Sequence, residues 1–247
     1  MPTFTLNTTF DQSALSMLYA TGSNVVVAKP SSSGGTPNVA WVVYRPMPDN
    51  VMTWEEQYGI YASTSSIQNG AKLKQMSATP FPAGAGKVYT LQSDSNFSSP
   101  QSGGTANSYT AINQYDNLAP NGPGWLTFGL FQNATVNQSA LSGNAVSAAG
   151  VPFQSTAVMT PYTTVYIWTQ SQVVSNTVVT LVTSTMTSVK FGGSVTEISL
   201  QYDQTTGGFV NVGGALKMDA RSNLLVASGG EELPSEASLA YHIPLLG

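Results

Sequence analysis

The sequence predicts an all-β fold: two packed antiparallel sheets, as a β-sandwich or a flattened barrel, with one or two short helices, in a single domain over residues 1–247. Three observations predict it. Between Tyr162 and Asp203 apolar residues recur at every second position. Val165 and Ile167 oppose Tyr166 and Trp168; Val179, Leu181, Val189 and Phe191 share one parity; Ile198, Leu200 and Tyr202 oppose Glu197, Ser199 and Gln201. With Gly192-Gly193 as a break, the stretch reads as successive antiparallel strands. The second observation is compositional. Charged residues are 8% of the chain, against ~25% in ordinary globular proteins. Polarity comes instead from 30 Ser and 27 Thr, which suit strands and turns better than helices. Third, Gly/Pro/Ser/Asn clusters punctuate the chain wherever the alternation stops.

Taken in order, Thr3 to Asn7 alternates, with Phe4 and Leu6 on one side. Asp11 to Tyr19 is the best helix candidate, with Asp11 as cap and Leu15, Leu18 and Tyr19 on one face. Val25-Val26-Val27 reads as a strand, and Pro30 to Pro37 as a surface loop. Val39 to Tyr44 is apolar on both faces and reads as one strand buried on both sides. Lys87 to Gln92, Ser108 to Tyr115 and Trp125 to Phe131 are further strands. The segment 119–124 is a strong turn signal, and Asn133 to Gly150 has no clear period. Phe209 to Val212 and Leu224 to Ala227 are further strands, 231–236 is the acidic cluster, and Leu239 to Leu246 is a final apolar segment in which Tyr241-His242-Ile243 reads as strand.

Composition narrows the function classes. Eight Lys+Arg and a net charge of −4 give no basic patch for a phosphate backbone, so nucleic acid is not an expected partner. No apolar run is long enough for a transmembrane helix, and the N-terminus has no signal-peptide pattern. A cytoplasmic location is expected, unless Met1 replaces a removed signal peptide. Cysteine is absent and His242 is the single histidine, which excludes thiolate or multi-histidine zinc sites. No Gly-x-Ser-x-Gly elbow, phosphate loop or dinucleotide fingerprint occurs.

The segment Thr53 to Ser63 is the densest chemical landmark. Read as a strand, it puts Trp54, Glu56, Tyr58 and Ile60 on one face, so that Glu56 points among aromatics. Arg45 is the candidate partner for its carboxylate. Thr53-x-x-Glu56 also matches a capping box. Tyr61, Tyr166 and Trp168 extend the aromatic set that could stack against a sugar or a flat molecule. Asp94, Asn96, Asp116, Asn117 and Asp203 could ligate calcium through oxygen, although their spacing fits turn chemistry better. Gln57-Tyr58-Gly59 resembles the chromophore tripeptide of coral-type fluorescent proteins. The arginine that family needs is missing between Arg45 and Arg221, so cyclisation is not expected.

Absent cysteine, few charges, abundant Ser, Thr, Gly and Asn, and the aromatic Trp54-to-Ser63 segment resemble cytosolic fruiting-body proteins of mushrooms. That group includes β-sandwich lectins and pigment-carrying chromoproteins. The resemblance implies a non-enzymatic ligand-binding protein, lectin-like and oligomeric, or else a carrier of an apolar or aromatic small molecule or pigment. The binding residues expected are Arg45, Trp54, Glu56, Tyr58, Tyr61, Tyr166 and Trp168. A third reading, a β-pore former, rests on the alternating Ser/Thr-rich run Thr177 to Lys190.

Overall fold

The computed structural model describes residues 2–118 and 124–212 and the backbone of 219–221. The expected strand at 224–227, the final apolar segment 239–246, the acidic cluster 231–236, His242 and most of the 119–124 turn lie outside the described residues. In chain order the elements are β1 (Thr3–Thr9), α1 (Gln12–Ala20), β2 (Ser23–Ala28), β3 (Val39–Ala40), β4 (Val42–Tyr44), β5 (Asp49–Glu55), β6 (Gly59–Ser63), β7 (Ser77–Ala78), β8 (Val88–Leu91) and β9 (Tyr109–Asn113). They continue with β10 (Trp125–Val136), β11 (Ser139–Ala145), β12 (Ala149–Pro152), β13 (Thr156–Met159), β14 (Thr164–Ser171), β15 (Thr177–Val178), β16 (Met186–Lys190), β17 (Glu197–Asp203), β18 (Gly208–Asn211) and β19 (Asp219–Arg221).

The fold is all-β and sandwich-like, with several packed sheets, one helix and no closed barrel among the described residues. The largest sheet runs β18-β17-β1-β5-β10-β6-β7, with β11 and β12 also pairing along β10. A five-stranded sheet runs β19-β16-β14-β2-β4, a three-stranded sheet β13-β9-β8, and a two-stranded one β15-β3. Side chains from the large sheet (Phe4, Leu6, Met52, Ile60, Phe128, Leu200) meet Val25, Val27, Val165 and Ile167 of the five-stranded sheet in one buried core. Leu91, Ala111 and Met159 of the three-stranded sheet and Ala14, Leu15 and Leu18 of α1 join the same core. The period-two pattern therefore specifies which residues point inward on each layer.

The details depart from the sequence reading at four places. The stretch Tyr162 to Asp203 is not one antiparallel run. β14 and β16 pair antiparallel, but β17 lies in the large sheet, parallel to β1, with Leu6 opposite Ile198 and Thr8 opposite Leu200. Gly192 and Gly193 take φ of +113° and +61° and turn the chain across the core to the opposite layer. Second, residues 179–185 leave the sheet. Val179 and Val182 cover Trp168 and Tyr166 on the outer face of β14, so the alternating run from Thr177 to Lys190 becomes two short strands, β15 and β16.

Third, the expected strand Val39 to Tyr44 is interrupted at Trp41, whose carbonyl accepts from Asn144 Nδ2 at 2.9 Å and whose Nε1 donates to the Gln132 carbonyl at 3.3 Å. Fourth, the unpatterned segment 133–150 holds two strands. Between the pairs Gln132–Asn144 and Ala134–Leu141, two residues of β11 oppose one of β10. This bulge, with Gly143 at φ +70°, breaks the alternation that would have marked the strand. The helix forms where expected, with Asp11 as N-cap, but the Asp11 side chain makes no capping bond. No helix among the described residues is long and apolar enough to cross a membrane.

Candidate functional site

The landmark segment folds as β5, a tight turn, and β6. The turn is closed by the Gln57 N–H donating to the Glu55 carbonyl at 2.8 Å, and Gln132 Nε2 donates to the same carbonyl at 2.6 Å. The chain still alternates through the turn. Trp54 and Tyr58 are buried, Glu56 is 18% exposed, and Glu55 and Gln57 lie on the outer side. No helix opens at Thr53, and Tyr58-Gly59 runs straight into a strand.

Glu56 finds its partner in Lys29 rather than Arg45. Lys29 Nζ donates to Glu56 Oε1 at 2.7 Å and to the Tyr58 hydroxyl at 2.8 Å. Trp54 Nε1 donates to Oε1 at 2.8 Å, and Tyr58 donates to Oε2 at 2.5 Å. The ammonium sits 5.0 Å from the Trp41 ring, 5.5 Å from Trp54 and 5.1 Å from Tyr58, so aromatic faces surround the charge where water does not. Lys29 is 1% exposed, and desolvation lowers its pKa to about 8 in spite of the Glu56 charge. Burial, then the Glu56 charge, push the Tyr58 phenol well above its ordinary value. At neutral pH the ion pair is therefore intact, and each carboxylate oxygen is hydrogen-bonded. Lys29 directly follows β2 of one layer and Glu56 directly follows β5 of the other, so the network clasps the two layers together.

The remaining expected residues lie apart. Arg45 is exposed and stacks 4.2 Å above the Tyr19 ring. Tyr61 is buried, donates to the Ser147 carbonyl at 2.7 Å and belongs to a separate apolar cluster with Phe131 and Val178. Tyr166 and Trp168 lie beneath the 173–182 segment, bonded to the Gly35 carbonyl at 3.0 Å and to Gln170 Oε1 at 2.7 Å. Trp41, Trp54 and Trp168 are all buried, and of the three Trp54 borders a groove on the outer side of the turn. Trp125 is half-buried and lies against the Gly150 backbone.

Two of the carboxylates considered for calcium, Asp94 and Asp203, serve turns. Asp94 accepts from Asn96 Nδ2 at 3.1 Å and from the Asn96 N–H at 3.0 Å, and Asp203 from the Thr205 N–H at 2.8 Å, and these bonds lower the pKa of both. Among the described residues no three His, Asp or Glu side chains come together.

On the outer side of the turn lies an open groove of about 360 Å³. Thr53, Glu55 and Gln57 line it from β5 and the turn, and Asn133, Thr135 and Ser142 from the neighbouring β10 and β11, with Thr135 directly opposite Thr53 in the same sheet; Trp54 and Phe81 also line it. The β10–β11 bulge shapes the far side: the Gly143 N–H donates to Asn133 Oδ1 at 2.8 Å beside Ser142. Phe81 is 36% exposed and rests on Phe131, ring centroids 5.6 Å apart. Gly59 makes room for Phe131, since a Cβ there would fall 2.1 Å from the ring. The sequence reading assigned Glu55, Gln57, Phe81 and Asn133 no binding role, because they converge only through the bulge and the turn. No protein-family model matches the chain, and no curated protein or solved structure matches it.

Proposed function

We propose that the protein is a lectin-like carbohydrate-binding protein without catalytic turnover, and that glycan binds in the groove beside Phe81. The observation that supports this reading is the groove's lining: hydroxyl, amide and carboxylate groups gather side by side on one open surface next to one exposed aromatic ring. Sugars present apolar C–H faces and closely spaced hydroxyls that both donate and accept. Glu55 accepts, the Gln57 and Asn133 amides donate, and Thr53 and Thr135 do both. Among the described residues nothing engages the Glu55 carboxylate or the Gln57 amide, so a ligand meets them without breaking an existing bond.

Binding is favoured over hydrolysis because glycoside cleavage ordinarily needs two carboxylates. Glu55 is the one carboxylate in the groove's described lining, and Glu56 is held by Lys29 on the other side of the turn. The reading agrees with the mushroom lectins whose composition this chain resembles. A glycan array followed by calorimetric titration tests it. Neutral glycans are expected to bind, and Gln57→Ala or Phe81→Ala to weaken them roughly tenfold, the loss of one hydrogen bond or one stacking face. A silent array, or unchanged affinity in both variants, overturns the proposal. Haemagglutination requires at least two sites per particle, so it is expected to accompany a multimer in native mass spectrometry.

A further inference from the structure

A second cavity, of about 350 Å³, lies on the three-stranded-sheet side of the Pro80–Pro82 stretch. Its lining is chemically unlike the groove. Pro80, Pro82, Pro100 and Phe97 supply apolar walls, and Lys87 is the one charged group among them. Phe97 is held in place edge-on to the core ring of Phe128, 6.0 Å away.

Two polar side chains, Tyr89 and Lys87, flank Gly84 in the lining. Tyr89, itself buried, accepts from the Gly84 N–H at 2.8 Å, which leaves its hydroxyl proton uncommitted. A Cβ on Gly84 would lie 3.0 Å from Lys87 Cγ and 3.6 Å from the Tyr89 hydroxyl. The bare glycine therefore lets the lysine stem and the phenol meet over one spot. Among the described residues no carboxylate lies within ion-pair distance of Lys87.

We propose that this cavity binds a flat aromatic monocarboxylate. The ring system lies between the proline and phenylalanine walls, and the carboxylate takes the Lys87 ammonium and the Tyr89 hydroxyl. Pyrrolidine and phenyl faces favour a flat apolar body, and the volume lies in the range of small-molecule sites. One cation with one uncommitted buried hydroxyl matches one carboxylate; Ser98 and Ser99 also line the cavity, but the Ser98 hydroxyl is engaged, donating to the Ser99 carbonyl at 3.0 Å and accepting from the Thr90 N–H at 3.0 Å.

Calorimetric titration with 1-naphthoate and with its uncharged counterpart 1-naphthalenemethanol tests the proposal. The wild-type chain is expected to take up one naphthoate saturably and the alcohol roughly tenfold more weakly, the scale of one exposed charge-assisted contact. Lys87→Gln should bring naphthoate down to the level of the alcohol, and Lys87→Arg should restore it. Lys87 is exposed, so an unchanged thermal midpoint checks that the variants remain folded. Gln57→Ala, in the groove, should leave naphthoate affinity unchanged, which keeps this site separate from the glycan reading. No saturable uptake, equal affinity for acid and alcohol, or unchanged naphthoate affinity in Lys87→Gln overturns the inference.

Discussion

Lys29 ties the two layers together through one side chain, and the sequence reading passed it over although the alternation points to it. Val25 and Val27 face the core, and Lys29 continues their parity, so the alternation itself carries a lysine inward. Charge alone pointed to Arg45, which cannot serve because its strand end faces solvent. Breaking a buried pair leaves an uncompensated charge, so Glu56→Gln is expected to cost about 3–5 kcal/mol, measured by urea unfolding at pH 7. The pair also sets a pH dependence. The folded chain releases the Lys29 proton near pH 8 and the unfolded chain near 10.5. Between these values the unfolded state holds more protons, so this group makes stability rise with pH. Tyr44, Tyr58, Tyr61 and Tyr109 act with the opposite sign above pH 10, the ordinary phenol value, because burial raises each of them in the fold. The urea midpoint is therefore expected to climb from pH 8 to about 10 and then fall, and Lys29→Met to lose the climb.

Among the elements, the twelve-residue β10 is the spine on which the groove is built. Trp125 to Phe131 was legible as a strand because it is continuously apolar, whereas its continuation through Val136 and the returning β11 were not. The reason is local: Ser142 and Gly143 both oppose Asn133, and a register shift inside a polar segment leaves no two-residue rhythm to read. The same feature gives the far side of the groove its amide and hydroxyl, so the part of the site hardest to see in the sequence is the part that shapes it. Midway along β10, Gly129 meets the chain where it passes from β11 to β12. A Cβ there would fall 1.8 Å from the Ser147 carbonyl oxygen, a backbone atom that cannot rotate away. Gly129→Ala is expected to destabilise by at least about 3 kcal/mol, the upper range for overpacking, as read from the urea midpoint.

At the level of the whole molecule, alternation reveals which face of each strand is covered, and that sufficed for a layered all-β architecture. It does not say which strand lies beside which. The parallel pairing of β1 with β17 joins residues nearly two hundred positions apart, and the division into four sheets depends on where Trp41 and residues 179–185 leave the ladders. Aromatic count likewise suggested sugar platforms, but three of the four indoles are buried, Trp41 and Trp54 in the core between the layers and Trp168 under the 173–182 segment, so the proposed glycan site relies on polar residues and one phenylalanine.

The Pro80–Pro82 stretch acts as a party wall. Its middle ring looks into one chamber and its two prolines into the other. A guest that nudges this wall alters the neighbouring room, and thermodynamic linkage requires the disturbance to be mutual: whatever factor an aromatic acid imposes on sugar affinity, the sugar must impose on the acid.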